Sequence, residues 1–142
     1  MRAKAYMMRY RREREHIDRL RDEIHQLKES MTAVSIDMTA EKVQTSPQPD
    51  SIGREVARLA DKEMELRKRI IHAAETMLEI DSTIDRVSCP EYQRVLHLRY
   101  IHRDTTTKKF MLWREIADEM NYTERGIEKL HERALREVEK LI

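Results

Sequence analysis

Apolar side chains in the first ninety residues return at alternating steps of four and three. One stripe runs Tyr6, Tyr10, Ile17, Leu20, Ile24, Leu27, Met31 and Val34, with Glu13 filling its one charged place. A second runs Ile52, Val56, Leu59, Leu66, Ile70, Ala73, Met77, Ile80, Ile84 and Val87, with Glu63 as its one charge. This spacing gathers the apolar residues on one side of an α-helix and on no consistent side of a strand. It persists for roughly four and five heptads, the length of a coiled-coil seam rather than of a small globular helix. Turn chemistry agrees, because two glycines and three prolines in 142 residues are too few for the closely spaced turns of a sheet protein. With 39% charged and 5% aromatic residues, the chain is suited to long solvated helices and a modest core.

The break between the stripes is QTSPQPDS (44–51), which holds Pro47 and Pro49 and no apolar side chain. Proline disfavours helix at its own position and before it. The pattern predicts helices over about 3–36 and 52–88, joined by a loop over about 37–51, with Asp50 or Ser51 capping the second. Cys89-Pro90 closes that helix. The expected fold is all-α: a long helical hairpin or coiled coil over 3–88, then a compact helix-turn-helix domain over 90–142. The stripes can meet within one chain as an antiparallel hairpin, or meet those of a second chain. A four-helix bundle built from a dimer satisfies both, so a homodimer or higher homo-oligomer is expected.

Charge is nearly balanced overall, at +1, but unevenly placed. Residues 1–14 carry Arg2, Lys4, Arg9, Arg11, Arg12 and Arg14 against Glu13 alone. Two roles fit this arm: contact with phosphates or RNA polymerase, or a solvated helix start whose Tyr6 and Tyr10 continue the seam. Residues 91–142 hold eleven basic and ten acidic residues, a weak electrostatic footprint for nonspecific nucleic-acid binding. The lone Cys89 excludes an intrachain disulfide. The six histidines show no paired ligand spacing, so no metal or other cofactor is expected. No glycine-rich phosphate loop or nucleophile–base pair is present, so the chain reads as a non-enzyme. No apolar segment reaches membrane-spanning length, which points to a cytoplasmic protein with no membrane partner.

The C-terminal third carries the one motif with a specific chemistry. EYQRVLHLRYI (91–101) predicts a compact helix and DTTTKK (104–109) a polar loop. FMLWREIADEM (110–120) and the segment from Thr123 to Ile142 predict two more helices around Asn121-Tyr122. Counting Trp113 as the first position, Ile116, Met120, Tyr122, Ile127 and Leu130 fall at the fourth, eighth, tenth, fifteenth and eighteenth. Ala117 is at the fifth, where two crossing helices leave room only for a small side chain. Asn121 is at the ninth, where the chain turns and a positive φ is tolerated by Asn. Thr123 is a good cap for the next helix. This is the pattern of a helix-turn-helix, whose second helix enters the DNA major groove by its N-terminal end. Ile127, Leu130, Ala134 and Leu135 face inward. Glu124, Arg125, Glu128 and Lys129 lie opposite. Arg125 suits guanine, Lys129 guanine or phosphate, and Glu124 or Glu128 a cytosine amino group. Thr123 and His131 suit phosphate contacts, and Arg133 completes the candidate DNA-binding set. A solvated face with i,i+3 pairs, Arg125 to Glu128 and Lys129 to Glu132, accounts for the same charges.

The blocks RVLHLRY, EIADEM, T-x-R-x-I-x-K-L and RALREV resemble region 4 of bacterial sigma-70 factors, over about residues 91–140. The whole order, from heptad-rich front through VQTSP (43–47) and long second helix to this module, resembles the phage-encoded late-gene activators of the ArpU-like and RinA-like group. The resemblance implies an activator of phage or mobile-element packaging or lysis genes. It would bind double-stranded DNA in a bacterial host cell, with host RNA polymerase as a further candidate partner. By position, the base-facing residues of region 4 fall on Glu124, Arg125, Glu128 and Lys129. Glu124 and Glu128 stand where the sigma pattern has basic residues, which argues against the ordinary −35 sequence as the target. Two other classes share the architecture: an oligomeric DNA-packaging protein like a small terminase subunit, and a sigma-mimic that binds polymerase without DNA.

Overall fold

The computed structural model describes residues 1–40 and 49–142, with side chains over 1–32 and 52–142. These residues form five α-helices: α1 (Arg2–Ala40), α2 (Pro49–Asp85), α3 (Pro90–Leu96), α4 (Trp113–Met120) and α5 (Glu124–Leu141). A π-helical turn, His97–Ile101, extends α3. The all-α expectation is met. The ends of the long helices differ from their predicted places. α1 continues to Ala40 rather than stopping near 36, and α2 begins at Pro49 rather than at 52. Proline is well suited to the first turn of a helix, where its missing N–H would have no intrahelical acceptor. Asp50 and Ser51 therefore lie inside α2 and do not precede it. Residues 41–48, including most of the predicted loop, lie outside the described residues, as does the side chain of Val34. At its other end α2 stops at Asp85. Cys89 is the N-cap of α3, with Pro90 in that helix's first turn.

The chain forms two compact units, Arg14–His72 and a discontinuous one of Met1–Glu13 with Ala73–Ile142. The boundary expected near residues 88–90 is thus not a packing boundary. In the discontinuous unit, Ala3, Met7 and Tyr10 of α1 and Ile80 and Ile84 of α2 share one core with Val87, Val95, Leu96, Tyr100 and the apolar faces of α4 and α5. Here α1 and α2 run antiparallel. The Tyr6 hydroxyl lies 2.8 Å from Thr83 Oγ1, and Arg9 pairs with Glu79 at 3.2 Å. Met7 and Ala3 are fully buried, whereas Tyr6, the first member of the stripe, is half-buried. The helix start is covered by several neighbours rather than one, so its buried face is wider than a coiled-coil seam. The arm's Tyr10 is thus part of the core and Tyr6 packs against it, while Arg2, Lys4 and Arg12 are exposed.

α1 and α5 are tied at their ends. Glu139 accepts a 2.7 Å bond from the Ala3 amide and a 3.0 Å bond from Arg2 Nε. The first amides of a helix have no intrahelical acceptor, and a carboxylate there also meets the favourable end of the helix dipole. Bonding to the Ala3 amide, with help from Arg2, holds the Glu139 carboxyl below its ordinary range.

In the unit Arg14–His72, Ile17, Leu20 and Ile24 of α1 are buried as the stripe predicts. Ion pairs Glu23–Lys62 at 2.8 Å and Lys28–Glu63 at 3.1 Å flank them. Glu63, the charge in the second stripe, is thereby partnered. The α2 stripe is less well covered. Val56 is 49% and Ile70 39% exposed, so the predicted seam is only partly buried there.

Glu139→Gln should lower the thermal midpoint at neutral pH. A carboxyl whose folded pKa is depressed stabilises above its unfolded pKa and loses that contribution as pH falls through the folded value. The wild-type and variant midpoints should therefore converge in acid, as followed by circular dichroism across pH.

Candidate nucleic-acid interface

The helix-turn-helix is built by local chemistry at both ends of its turn. α4 ends at Met120 and Asn121 takes the left-handed conformation, φ 58° and ψ 43°. The Tyr122 amide then donates to the Ala117 carbonyl at 2.8 Å, closing the end of α4 in a Schellman-type bond. Asn accepts this φ at lower cost than a β-branched residue because its short polar side chain suits the left-handed region. One residue on, Thr123 Oγ1 accepts from the Gly126 amide at 3.0 Å and caps α5. Tyr122 is fixed from outside by its hydroxyl, which donates to Glu91 Oε2 on α3 at 2.6 Å.

Beneath the turn, Ile116, Ala117, Met120, Ile127 and Leu130 are all buried, as the spacing predicts. Ala117, at 2% exposure, occupies the helix crossing. α5 buries Ile127, Leu130, His131, Ala134, Leu135 and Val138, an unbroken apolar stripe apart from His131. The first helix of the motif is shorter than expected. Phe110–Leu112 is not helical, and Phe110 forms an antiparallel bridge to Arg103. The turn between them is fastened by Asp104, whose Oδ1 accepts from the amides of Thr106 and Thr107 at 2.8 Å. Those bonds hold its carboxyl below the ordinary range.

His131 does not have the place the sequence suggested. It is 7% exposed, bonded through Nε2 to the Tyr100 hydroxyl at 2.6 Å and set edge-on to Trp113 at 4.6 Å between ring centroids. Burial, reinforced by Arg99 and Lys4, lowers its pKa to about 4, so the ring is neutral at pH 7 and turned into the core. It is a packing residue rather than a phosphate contact. Burial likewise raises the Tyr100 hydroxyl to about 12. Trp113 is half-buried and carries Arg99 over its ring at 4.3 Å.

The other candidates share the outer surface of α5. Thr123, Glu124, Arg125, Glu128, Lys129 and Arg133 are all exposed. Among the described residues, none of the last five joins an ion pair, including the i,i+3 pairs that would have absorbed their charges. At 3.6 residues per turn, Arg125, Lys129, Arg133 and Arg136 fall within about 80° of one another, opposite the buried stripe. Glu124 and Glu128 run along one flank of that row. Arg136, also exposed, was missed in the sequence because the motif's spacing draws attention to the first turns of α5; the four-four-three spacing of the cations is the signal that finds it. Lys4, Arg99, Glu128 and Glu132 line a shallow cleft over Trp113 and His131, where cations and carboxylates offset each other. Among the described residues there is no cluster of metal-ligating side chains, and no helix is long and apolar enough to cross a membrane. Comparison with known proteins returned no matching family, no similar curated protein and no similar solved structure.

Asn121→Val should destabilise the chain by about 1–2 kcal/mol, the cost of forcing a β-branched residue into the left-handed region. Asn121→Gly should be close to neutral, and urea unfolding of the three proteins checks both. His131 gives a pH signature. Its folded pKa lies below the unfolded value, so its contribution is complete above pH 6.5 and is lost as pH falls toward 4. Wild type should lose about 2–3 kcal/mol across that window from this group. His131→Phe should flatten the pH dependence, as read by denaturant titration at each pH.

Proposed function

We propose that this chain is a sequence-specific DNA-binding transcriptional regulator, with α5 as its recognition helix. The observation that carries the reading is the row Arg125, Lys129, Arg133 and Arg136 on the outer surface of α5, without ion-pair partners among the described residues, beyond a turn closed by Asn121 and Thr123. A recognition helix enters the major groove by its N-terminal turns, so Arg125 is positioned for a bidentate bond to guanine and Lys129 for guanine or phosphate. Glu124 and Glu128 serve readout by accepting from cytosine amino groups and repel the phosphates of a misplaced duplex. Thr123, at the helix N-terminus, and Arg133 and Arg136, further along, meet the backbone. The near balance of charge around the motif makes nonspecific binding weak, so specificity rests on these few base contacts and on more than one copy of the chain engaging the site. By its resemblance to the ArpU-like and RinA-like activators, the regulator acts at phage or mobile-element late genes together with host RNA polymerase.

A binding selection from random and phage or host DNA fragments at near-physiological salt tests this. The wild type should enrich a discrete site, and Arg125→Ala/Lys129→Ala should lose it. Arg125→Ala alone should cost about 1–3 kcal/mol and relax preference at one base position. Ring-sized assemblies with little sequence preference would replace this reading with a DNA-packaging role. Polymerase binding without any DNA binding would replace it with a sigma-mimic.

A further inference from the structure

Among the described residues, five of the eight large apolar side chains left exposed lie on α2: Val56, Met64, Ile70, Ile71 and Leu78. Among the described side chains α1 contributes none, and those it exposes are mostly charged or polar. The α2 residues are not scattered. Ala57, Ala60, Met64, Arg67 and Ile71 recur at steps of three and four, and every one is exposed. In sequence the spacing runs on through Ala74 and Leu78. This is a second seam, each member one residue after a member of the stripe Val56, Leu59, Glu63, Leu66 and Ile70, and so turned about 100° around α2 from it. Val56 and Ile70 are the exposed apolar members of that first stripe, beside the new seam. Exposed large apolar side chains gathered along one helix are more than the scattered exposure of a solvated surface, and the alanines between them let another helix approach closely.

We propose that this seam pairs with the same seam of a second copy of the chain, α2 against α2 and antiparallel. Charge chooses both occupant and direction. Taking Ala57, Met64 and Ile71 as the a positions and Ala60 and Arg67 as the d positions, an antiparallel pair sets a against d. Ala60 then meets the partner's Ile71, and Met64 meets the partner's Arg67, whose aliphatic stem packs while its guanidinium reaches water. The flanking e positions face each other and bring Asp61 to the partner's Lys68. Two-fold symmetry makes each contact twice. Both Asp61 and Lys68 are exposed and lie beside the seam. A parallel pair would instead set Arg67 on Arg67 in the seam. The patch is thus complementary to itself in one orientation. This inference does not depend on DNA binding.

Light scattering and sedimentation equilibrium on the full chain test it. The wild type should be a dimer at about 100 µM, and Met64→Glu/Ile71→Glu should be a monomer with unchanged helical circular dichroism. Asp61→Lys and Lys68→Asp should each weaken the dimer about tenfold, because each turns two attractions into repulsions. The double reversal Asp61→Lys/Lys68→Asp should restore it. A monomeric wild type overturns the proposal, as does an assembly larger than two or a dimer that survives Met64→Glu/Ile71→Glu. Weakening by Lys68→Asp but not by Asp61→Lys, without rescue by the double reversal, overturns the antiparallel arrangement.

Discussion

The contact on which the rest of the C-terminal unit depends is the burial of Ala3, Met7 and Tyr10 in the same core as Ile80, Ile84 and the apolar stripe of α5. Alone, α4 is eight residues long and α3 seven, far below the length at which a helix is stable in water. Their stability comes from burying one face each. The long helices supply part of the surface that they bury against, and truncating a single buried aliphatic side chain in such a core costs about 2–5 kcal/mol. The polar contacts follow from this placement. Glu139 can close the start of α1 because α5 lies beside it. Tyr122 can reach Glu91 because α3 is held next to the turn.

Much of this was legible in the sequence, and the reasons are specific. The four-three spacing named the two long helices, and the positions from Trp113 to Leu130 named the turn. Ala117, Asn121 and Thr123 each occupy a backbone or packing situation that few residue types satisfy, so their identity carries structural information. The helix ends were less legible. Pro49 reads equally as a loop residue and as a first-turn residue, and only the backbone distinguishes them. The extra helix expected at Phe110–Leu112 reflected good local propensity that the bridge to Arg103 overrides.

The misplaced residues share a cause. His131 has a polar ring and sits on a helix with charged neighbours, so by type it suited phosphate. Its burial depends on Tyr100, thirty-one positions away, and no local period links the two. The sharing of the core by residues 1–13 was hidden in the same way, since Ala3 lies beyond a stripe that could equally have ended at Tyr6 and Met7 lies beside it. Arg136, by contrast, was readable in principle from the spacing of the cations along α5.

The discontinuity of the C-terminal unit changes what counts as a transferable part of this chain. A segment cut at residue 90 contains every residue of the helix-turn-helix, yet its inner faces are completed by side chains from both ends of a stretch nearly sixty residues long. Grafted onto another scaffold, it would arrive with its floor missing. Its evolutionary exchange between proteins would require two separated pieces to travel together, or a host that already offers a similar pair of helix ends.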